Sequence, residues 1–375
     1  MKIVFLARYL PQEGSTVHMY QLSKALIQRG HEVHLISSGP IKEDLSAIKI
    51  FNESVEFGLK HHEVGFPNVP NAVNLSKIKL LTMYLSAIPK SLLLLRKINP
   101  DVVHVHYPVT SYIAKLYQLF TKRKFITTHH TLNIPIHPLH KKANYAIAIS
   151  QELKAELIKI FNYKDEQVEL IFNGVSKEKF AQEIDDEQRS SIKKELAIPF
   201  DVPIIGFVGS LNHRKGIDIL LKACPLINKN FHIVLLGDGD KDWINSLVNE
   251  YNLQGKISIF PFQNPINFYA IFDLFVLPSR VEGFPLVPLE AMMMGVPVIR
   301  SNVGGATNQI KVGYNGYIFE NEDSQELAKY INLLINDETL NINMGNNAKK
   351  LAIDQFTEEK MVDKIIHLYE KALNQ

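Results

Sequence analysis

The sequence places two glutamates, Glu282 and Glu290, on either side of a predicted strand-to-helix turn. Residues 273–277 have the pattern of a buried strand, and residues 291–295 continue as predicted helix. Pro285 loses no hydrogen bond at a first helical position, so we predict that the helix begins there. A helix N-terminus favours anions such as phosphate, and a carboxylate just inside it can accept hydrogen bonds from a ribose diol. The turn therefore predicts a site for the nucleotide part of a ligand.

A second candidate motif is the basic turn Arg214-Lys215-Gly216, which follows a predicted strand at 204–208. An arginine grips phosphate oxygens through its fork, and a lysine adds a compact positive charge. Taken alone, the turn is explained equally well as a solvated basic loop. Because it and the turn holding Glu282 follow strands of one predicted sheet, both should lie at the same sheet edge. Phosphate binding by Arg214 and Lys215 is then the favoured interpretation.

Two other clusters have the residue types of a metal site. Asp238-Gly239-Asp240 could hold a divalent cation that carries a diphosphate, but Gly and Asp are ordinary turn residues after a strand. His129 and His130 could be metal ligands, yet no acidic or cysteine residues accompany them in the sequence. We therefore predict a turn in the first case, a strand end in the second, and no bound metal.

Both candidate turns lie in the second of two series of alternating strands and helices. The first series begins with the apolar run at 3–6 and a helix stopped at Gly30, and the second begins at 203–208. Continuous apolar strands separated by helices predict parallel sheets that are covered on both faces. The fold class is therefore α/β, with two tandem doubly wound Rossmann-like domains, 1–175 and 176–355, and an interdomain cleft.

Polar residues follow several predicted strands of the first domain. His106 and Tyr107 come after one strand, and His129 and His130 come after the next. Ligands of open α/β sheets bind beyond the carboxyl ends of the strands, so these residues are predicted to line the acceptor site. The turn after the first strand contains Gly14 but no G-x-G-x-x-G pattern, which argues against a dinucleotide-binding fingerprint.

Composition limits the remaining classes of protein. The 375 residues contain one cysteine, Cys224, so an intramolecular disulfide and a cysteine metal cluster are excluded. Residues 1–170 hold 21 Lys and Arg against 13 Asp and Glu, whereas residues 171–375 hold 20 against 26. Eleven of the 14 histidines also lie in the first part. Absence of a signal-like or membrane-spanning run favours a cytoplasmic protein, and the basic first half suits an anionic ligand or membrane surface as well as simple solvation.

Residues 76–97 have an apolar stripe flanked by basic residues. Such a stripe is more often the core-facing side of a helix, and core packing is the favoured interpretation. An interfacial helix that lies on the inner face of an anionic membrane is the alternative. The sequence leaves both open.

The combination of motifs resembles the retaining GT-B glycosyltransferases of family 4, also described as glycosyl transferases group 1. Glu282 and Glu290 match the E-x7-E motif of that family, and Arg214-Lys215-Gly216 matches its phosphate-binding turn. The similarity extends over nearly the full length of the chain. Further matches are Arg29-Gly30-His31-Glu32-Val33, Asn173-Gly174-Val175, Ser279, Gly295-Val296-Pro297-Val298 and Gly304-Gly305.

The resemblance implies transfer of a hexose or N-acetylhexosamine from a nucleotide diphosphate sugar, with UDP favoured, with retention of configuration and without a metal or other cofactor. Glu290 would bind the ribose hydroxyls, and Glu282 would lie near the donor sugar and the reacting centre. His130 would match the catalytic first-domain histidine that the family has in a Thr-x-His pattern. Arg214 and Lys215 would neutralise the leaving diphosphate. The donor site would also include Gly209, Ser210, Gly237, Phe262, Gly283, Phe284, Pro285 and Leu286. The acceptor or phosphate loop would include Gly14, Ser15, His106 and Tyr107.

Two departures from the family pattern affect this expectation. Many relatives have Gly-Gly where this chain has Gly14-Ser15, and many have an arginine where it has Ser210. The resemblance therefore predicts neither close backbone approach to a phosphate at Gly14-Ser15 nor a second cation on the diphosphate at Ser210. By the same resemblance, a helix at roughly 356–375 would return to the first domain.

The acceptor is not readable from the sequence: a glycan, a lipid-linked sugar or another acceptor in cell-surface glycoconjugate synthesis all fit. No nucleic-acid partner is expected. One alternative is a non-catalytic relative that binds sugar nucleotides. Such a protein would keep Glu290 but need not keep together the four residues that are all present here: Glu282, Arg214, Lys215 and His130. Another is a two-domain solute-binding protein, which would be expected to carry an export signal.

Overall fold

The computed structural model describes residues 1–11, 14–42, 44–66, 77–106, 110–134, 136 and 138–374, with the backbone alone over 77–84. The chain forms two compact units. The first consists of Met1–Phe172 together with Glu358–Gln375, and the second consists of Asn173–Thr357. The chain therefore crosses to the second unit once and returns to the first for its last helix.

The first unit contains a seven-stranded, all-parallel sheet in the order β3-β2-β1-β4-β5-β6-β7. Its strands are β1 (Lys2–Leu6), β2 (Glu32–Ser37), β3 (Lys60–Glu63), β4 (Val102–Val105), β5 (Phe125–His129), β6 (Tyr145–Ala148) and β7 (Val168–Leu170). Its helices are α1 (Gly14–Gln28), α2 (Leu45–Glu56), α3 (Lys77–Ile98), α4 (Ser111–Thr121), α5 (Gln151–Lys159) and the final α15 (Glu358–Asn374).

Strand β1 shows why the first sheet is apolar on both faces. Ile3 and Phe5 pack into one core cluster with α1 and α15, whereas Val4 and Leu6 pack into another with α3 and α4. Successive side chains of a strand point to opposite faces, so a strand between two helical layers must be apolar at every position. The predicted buried strand at the start of the chain is confirmed.

The second unit contains a six-stranded parallel sheet in the order β10-β9-β8-β11-β12-β13. Its strands are β8 (Ile204–Val208), β9 (His232–Leu236), β10 (Ile257–Phe260), β11 (Leu274–Leu277), β12 (Val298–Ser301) and β13 (Gly316–Phe319). Its helices are α6 (Lys177–Phe180), α7 (Asp186–Glu195), α8 (Ile217–Ala223), α9 (Lys241–Glu250), α10 (Ile266–Ile271), α11 (Val287–Met293), α12 (Ala306–Gln309), α13 (Ser324–Asn336) and α14 (Glu338–Gln355).

Three features of the helices and strands differ from the sequence expectation. The sequence pattern at 324–353 predicts one continuous helical stretch, but the structure has two helices there. Asp337 has extended backbone, and its side chain accepts a hydrogen bond from the Leu340 N–H, which starts α14. The edge strands β3 and β13 were not predicted. Strand β3 is Lys-His-His-Glu, whose polar side chains suit a sheet edge but do not give the apolar pattern of a buried strand.

Helix α3 is amphipathic over the part whose side chains are described. Ala87, Ser91, Leu95 and Ile98 are buried, whereas Leu93 is 68% exposed. Core packing therefore explains one face of the helix and leaves the other uncovered within the described residues. Among those residues, no helix combines the length and the apolar character needed to cross a bilayer.

Candidate functional site

A buried ion pair lies at the carboxyl edge of the second sheet. Lys215 Nζ is 2.5 Å from Glu282 Oε1, and the two side chains are only 14% and 9% exposed. Strands β8 and β11 are parallel neighbours, so the loops that follow them emerge at the same edge. The structure thus brings together the two motifs that the sequence predicted to face each other.

The basic turn is held rigidly against the loop that carries Glu282. The Asn212 side chain accepts a hydrogen bond from the Lys215 N–H and so caps the turn. Gly216 has φ +69°, and a Cβ atom there would lie 1.9 Å from the Pro278 carbonyl oxygen. Only glycine tolerates both the left-handed backbone and this close approach. The turn can therefore dock directly on the strand end that leads to Glu282.

Two opposing effects set the charge of Glu282. Burial alone would raise the pKa of its carboxyl group, but the adjacent Lys215 ammonium and its hydrogen bond, with Arg300 further away, bring the pKa below its usual range. Glu282 is therefore ionised at neutral pH. It accepts hydrogen bonds, and without a change in its partner it is not a proton donor.

Glu290 lies in the first turn of α11, where its carboxylate is oriented by a residue that the sequence did not reveal. The Tyr269 hydroxyl on α10 lies 2.8 Å from Glu290 Oε2 and donates to it. Burial raises the pKa of Glu290, and the bond from Tyr269 and the charge of Lys179 offset this only in part. Tyr269 holds one carboxylate oxygen, and the described part of the chain shows no hydrogen bond to the other. Only the spatial contact identifies Tyr269.

The helix start differs from the prediction. Helix α11 begins at Val287, with Pro288 rather than Pro285 in its first turn. Both prolines fit a helix start, but Leu286 is the residue before the helix and Pro285 belongs to the preceding loop. The loop is therefore longer by two residues than the sequence suggested, and Glu290 lies correspondingly nearer to the helix N-terminus.

The loop between Glu282 and the helix is braced from two sides. The Asn173 side chain donates to the Phe284 carbonyl at 2.9 Å, and the Gln309 side chain donates to the Pro285 carbonyl at 2.8 Å. Phe284 and Leu286 are buried. These two donors hold the loop in place beside Glu282.

A buried arginine supports the next loop of the sheet. Arg300 is fully buried at the end of β12, donates to the Gln309 side chain, and donates to the carbonyls of Val303 at 3.1 Å and Gly304 at 2.9 Å. A Cβ on Gly304 would lie 2.3 Å from the Glu282 carbonyl oxygen. Arg300 therefore presses the glycine loop against the backbone of Glu282, a role that no sequence pattern indicated.

The other predicted donor residues line the same sheet edge with different exposure. Gly237 and Gly209 end neighbouring strands, and a Cβ on Gly237 would lie 1.9 Å from the Gly209 carbonyl oxygen. Ser210 and Arg214 are exposed, and Phe262 is 45% exposed. Within the described residues, the Arg214 side chain makes no ion pair. Its guanidinium is thus accessible to an incoming anion.

The aspartates of the Asp238-Gly239-Asp240 turn have structural roles. Asp240 caps α9 by accepting a hydrogen bond from the Trp243 N–H. Asp238 Oδ1 is 3.4 Å from the Phe262 N–H. The turn interpretation agrees with these contacts. The Trp243 ring also lies 6.2 Å, centroid to centroid, from His213 in the basic turn.

The first unit gathers three histidines at the carboxyl edge of its sheet. His106 follows β4, His130 follows β5, and His18 reaches them from α1; each offers a ring nitrogen within 4.8 Å of the others. Burial, followed by the neighbouring histidines, holds the pKa of His106 and His130 well below the usual range. Burial lowers the pKa of His18 to about 4. All three rings are neutral at pH 7.

The histidine rings are arranged as hydrogen-bonding groups. His106 Nδ1 and His130 Nε2 are 3.3 Å apart with ring planes only 16° from parallel, so one ring donates to the other. With centroids 5.6 Å apart, the two nitrogens lie almost in line between the rings. The N–H of one ring points at the lone pair of the other, whereas the lone pairs of two metal ligands must point at a common centre. Holding an ion would require both rings to turn.

His104 packs against His106 and is itself held by two hydroxyl groups. The His104 ring lies 4.2 Å from that of His106, centroid to centroid, with the two planes tilted by 33°. His104 Nδ1 is 2.7 Å from the hydroxyl of Tyr369 on α15, and His104 Nε2 is 2.7 Å from the hydroxyl of Thr128. The final helix therefore contributes directly to the order of the histidine cluster. His129, in β5, is buried and contacts Phe161 rather than the cluster.

The glycine turn of the first unit is already helical. Gly14 and Ser15 are the first residues of α1, and a Cβ on Gly14 would meet no atom within 4 Å. The sequence placed them in a turn just before the helix, and this was wrong. Tyr107, predicted to line the acceptor site, lies outside the described residues.

Comparisons with known proteins agree with this architecture. The family model for Glycosyltransferase Family 4 matches residues 13–179, and the model for Glycosyl transferases group 1 matches residues 188–351. The chain is 28% identical to N-acetyl-alpha-D-glucosaminyl L-malate synthase of Bacillus anthracis, over 95% of this chain and 93% of that protein. It is 31% identical to a UDP-Gal:alpha-D-GlcNAc-diphosphoundecaprenol alpha-1,3-galactosyltransferase of Escherichia coli, over 60% of this chain and 59% of that protein.

The fold is also that of solved glycosyltransferases. The Anabaena protein HepE, crystallised in complex with UDP, superposes with a TM-score of 0.82 over 99% of this chain and 100% of its own, at 19% sequence identity. At that identity the likeness establishes the fold alone. Together, the two family models span nearly the whole chain. The chain therefore belongs to the glycosyltransferases of the family 4 and group 1 type and has their GT-B fold.

Proposed function

We propose that the protein transfers a hexose or N-acetylhexosamine from a UDP-sugar to a glycan, lipid-linked or similar acceptor, with retention of configuration. The observation that carries the proposal is the Lys215–Glu282 pair of 2.5 Å, with Glu290 held by Tyr269 on the same sheet edge. A cation for phosphate and two separately placed carboxylates there match the parts of a nucleotide diphosphate sugar. The UDP bound by HepE supports the choice of base.

In this proposal each charged group has a separate task. Glu290 accepts from the ribose hydroxyls through the oxygen that Tyr269 leaves available. Arg214 and Lys215 stabilise the charge that develops on the leaving diphosphate. These two cations supply the charge neutralisation that a metal ion provides in other transferases, so metal independence is part of the proposal.

Donor binding would rearrange the ion pair. The diphosphate competes with Glu282 for the Lys215 ammonium, since both are anions that need the same partner. As Lys215 turns to the diphosphate, the Glu282 carboxylate becomes available to accept hydrogen bonds from the donor sugar. In this proposal, binding of the diphosphate to Lys215 makes the Glu282 carboxylate available to the donor sugar.

We place the acceptor on the first unit. The His106–His130 pair is neutral and hydrogen-bonded, so it can orient a hydroxyl group without adding charge. The basic balance of residues 1–170 suits an acceptor that carries phosphate. The diphosphoundecaprenol acceptor named for the E. coli relative supports a lipid-linked substrate in cell-surface glycoconjugate synthesis.

Peripheral contact with an anionic membrane would follow from such an acceptor. Helices α3 and α4 cover the same face of the first sheet, and Leu93 on α3 and Phe120 on α4 are 68% and 81% exposed. Lys90 and Lys97 are exposed on α3. Apolar anchors with lysines beside them match an acyl boundary and anionic headgroups. A cytoplasmic protein resting on the inner face of the membrane is the corresponding location.

The decisive experiment is a donor screen. UDP-, GDP- and ADP-sugars are tested for thermal stabilisation and for transfer in the presence of EDTA, and NMR assigns the product anomer. We expect stabilisation by a UDP-sugar, activity with EDTA, and the donor's anomeric configuration in the product. Glu282→Gln should abolish transfer, whereas the exposed Glu250→Gln should not. Stabilisation by a sugar nucleotide with no transfer to any acceptor would instead favour the non-catalytic relative.

The membrane contact has its own test. Retention on vesicles containing phosphatidylglycerol is expected for the wild-type protein and should fall in Lys90→Glu/Lys97→Glu. The control is Lys194→Glu, an exposed lysine of the second unit. Equal retention of the two variants would contradict the membrane assignment.

A further inference from the structure

Arg280 lies two residues before Glu282 and joins three loops at the carboxyl edge of the second sheet. Its guanidinium makes a two-pronged contact with Asp218 of α8, Nη1 to Oδ1 at 2.8 Å and Nη2 to Oδ2 at 2.7 Å. It also contacts Glu322, after β13, with Nε to Oε1 at 2.6 Å and Nη2 to Oε2 at 3.1 Å. The side chain is 15% exposed, so these pairs are partly shielded from water.

The same residue holds the basic turn by its backbone. Arg280 Nη1 donates to the His213 carbonyl at 2.5 Å, and the Arg280 N–H donates to the Arg214 carbonyl at 2.9 Å. These are the two carbonyls immediately before Lys215. The turn that presents Lys215 is thus tied to the loop that presents Glu282 by two hydrogen bonds from a single residue.

From these contacts we propose that Arg280 is a positioning residue that sets Lys215 and Arg214 for the diphosphate of the donor, an inference that rests on the proposed function. Its charge is fully engaged by Asp218 and Glu322, so it serves the phosphate site without touching phosphate. The planar fork is needed because its nitrogens must satisfy two carboxylates and one carbonyl simultaneously. A lysine offers one nitrogen and cannot span them.

The inference predicts a selective effect on phosphate binding. If the contacts of Arg280 are lost, the basic turn moves, and Arg214 and Lys215 shift relative to the diphosphate. The ribose site at Glu290 and Tyr269 makes no contact with Arg280 in the described residues. A misplacement of about 1 Å at an active site can lower the reaction rate about 100-fold. Binding of UDP should therefore weaken, and binding of uridine should not.

The test measures UDP and uridine dissociation constants by calorimetry for the wild-type protein and for Arg280→Gln. We expect UDP to bind at least about tenfold more weakly to the variant, with uridine changed by less than about twofold. Arg280→Lys should lie between the two proteins. Asp218→Asn, which keeps the shape of the partner, should give the same selective loss and guards against misfolding of the arginine variant.

A matched control separates positioning from general destabilisation. Arg189 forms a partly exposed pair with Asp273 at 2.7 Å in the same unit, outside the basic turn. Arg189→Gln should lower the melting temperature but leave the ratio of UDP to uridine affinity unchanged. An unchanged ratio in both Arg280→Gln and Asp218→Asn, or an equal loss of UDP and uridine binding, would overturn the inference. Failure of the wild-type protein to bind UDP would count against the proposed function instead.

Discussion

The pair Lys215–Glu282 offers the sharpest test of how the site is built. Lys215→Met leaves the Glu282 carboxylate buried without its cation, and Glu282→Gln leaves an ammonium that is 14% exposed and can turn towards water. Removing one partner of a buried ion pair costs about 3–5 kcal/mol. We expect the lower end, about 3 kcal/mol, for Lys215→Met, because Arg300 still acts on Glu282. For Glu282→Gln we expect about 1–2 kcal/mol.

The double variant provides the decisive number. With both charges removed, no buried charge is left unpaired, so Lys215→Met/Glu282→Gln should cost less than the sum of the single changes. The coupling should be about 1.5–3 kcal/mol, within the range for residues in direct contact. The assay is urea unfolding followed by circular dichroism at pH 7.5, with the same slope confirmed for each variant.

Acidification adds an independent check with a defined sign. In the wild-type protein the pKa of Glu282 is lowered, so the stabilisation by the pair is present above the unfolded-state pKa and is lost as the pH falls through the folded-state pKa. In Lys215→Met, burial raises the pKa of the carboxyl group, which then protonates first. The difference in unfolding free energy between the wild-type protein and Lys215→Met should therefore become smaller between pH 7.5 and about pH 5. Additive single changes, or a deficit that does not depend on pH, would refute the reasoning.

Two further predictions concern residues outside the sequence motifs. Tyr269→Phe should raise the KM for the donor about fivefold and change kcat little, because one hydrogen bond worth about 1 kcal/mol no longer orients Glu290. Steady-state kinetics with a UDP-sugar measure both constants. A fall in kcat alone would contradict the role of Tyr269. Burial lowers the pKa of His18 to about 4, so the unfolded chain binds the extra proton first and unfolding free energy should be lost as the pH falls from about 6.5 to 4. His18→Gln should flatten that dependence by up to about 1.4 kcal/mol per pH unit in urea titrations, and an unchanged slope would show that His18 does not titrate in this way.

The alternation of strands and helices was predictable because buried parallel strands are continuous apolar runs. Strand β3 was not predicted because an edge strand can expose its side chains. Its sequence, Lys60-His61-His62-Glu63, therefore has no apolar run. The start of α11 was misplaced because Pro285 and Pro288 satisfy the same local rule. Local patterns decide which elements form, and packing decides where they end.

The sequence singled out Glu282, Glu290 and Lys215 as candidate site residues because their types and spacing have a chemical meaning at a sheet edge. Tyr269 and Arg300 were not, since each acts through contacts with residues that are distant along the chain or with backbone carbonyls. A buried tyrosine or arginine has many potential partners in a sequence, and only the folded chain selects one. Residues that position the site are therefore harder to predict from the sequence than the charged residues of its motifs.

The placement of Trp243 gives the protein an optical property. It is the only tryptophan in the chain, and its indole lies 6.2 Å from the His213 ring, centroid to centroid, one residue before Arg214. Intrinsic emission excited at the indole band therefore originates in the second unit alone and at the border of the basic turn. A ligand that displaces that turn will change the emission directly. The protein thus carries a site-specific fluorophore that needs no label.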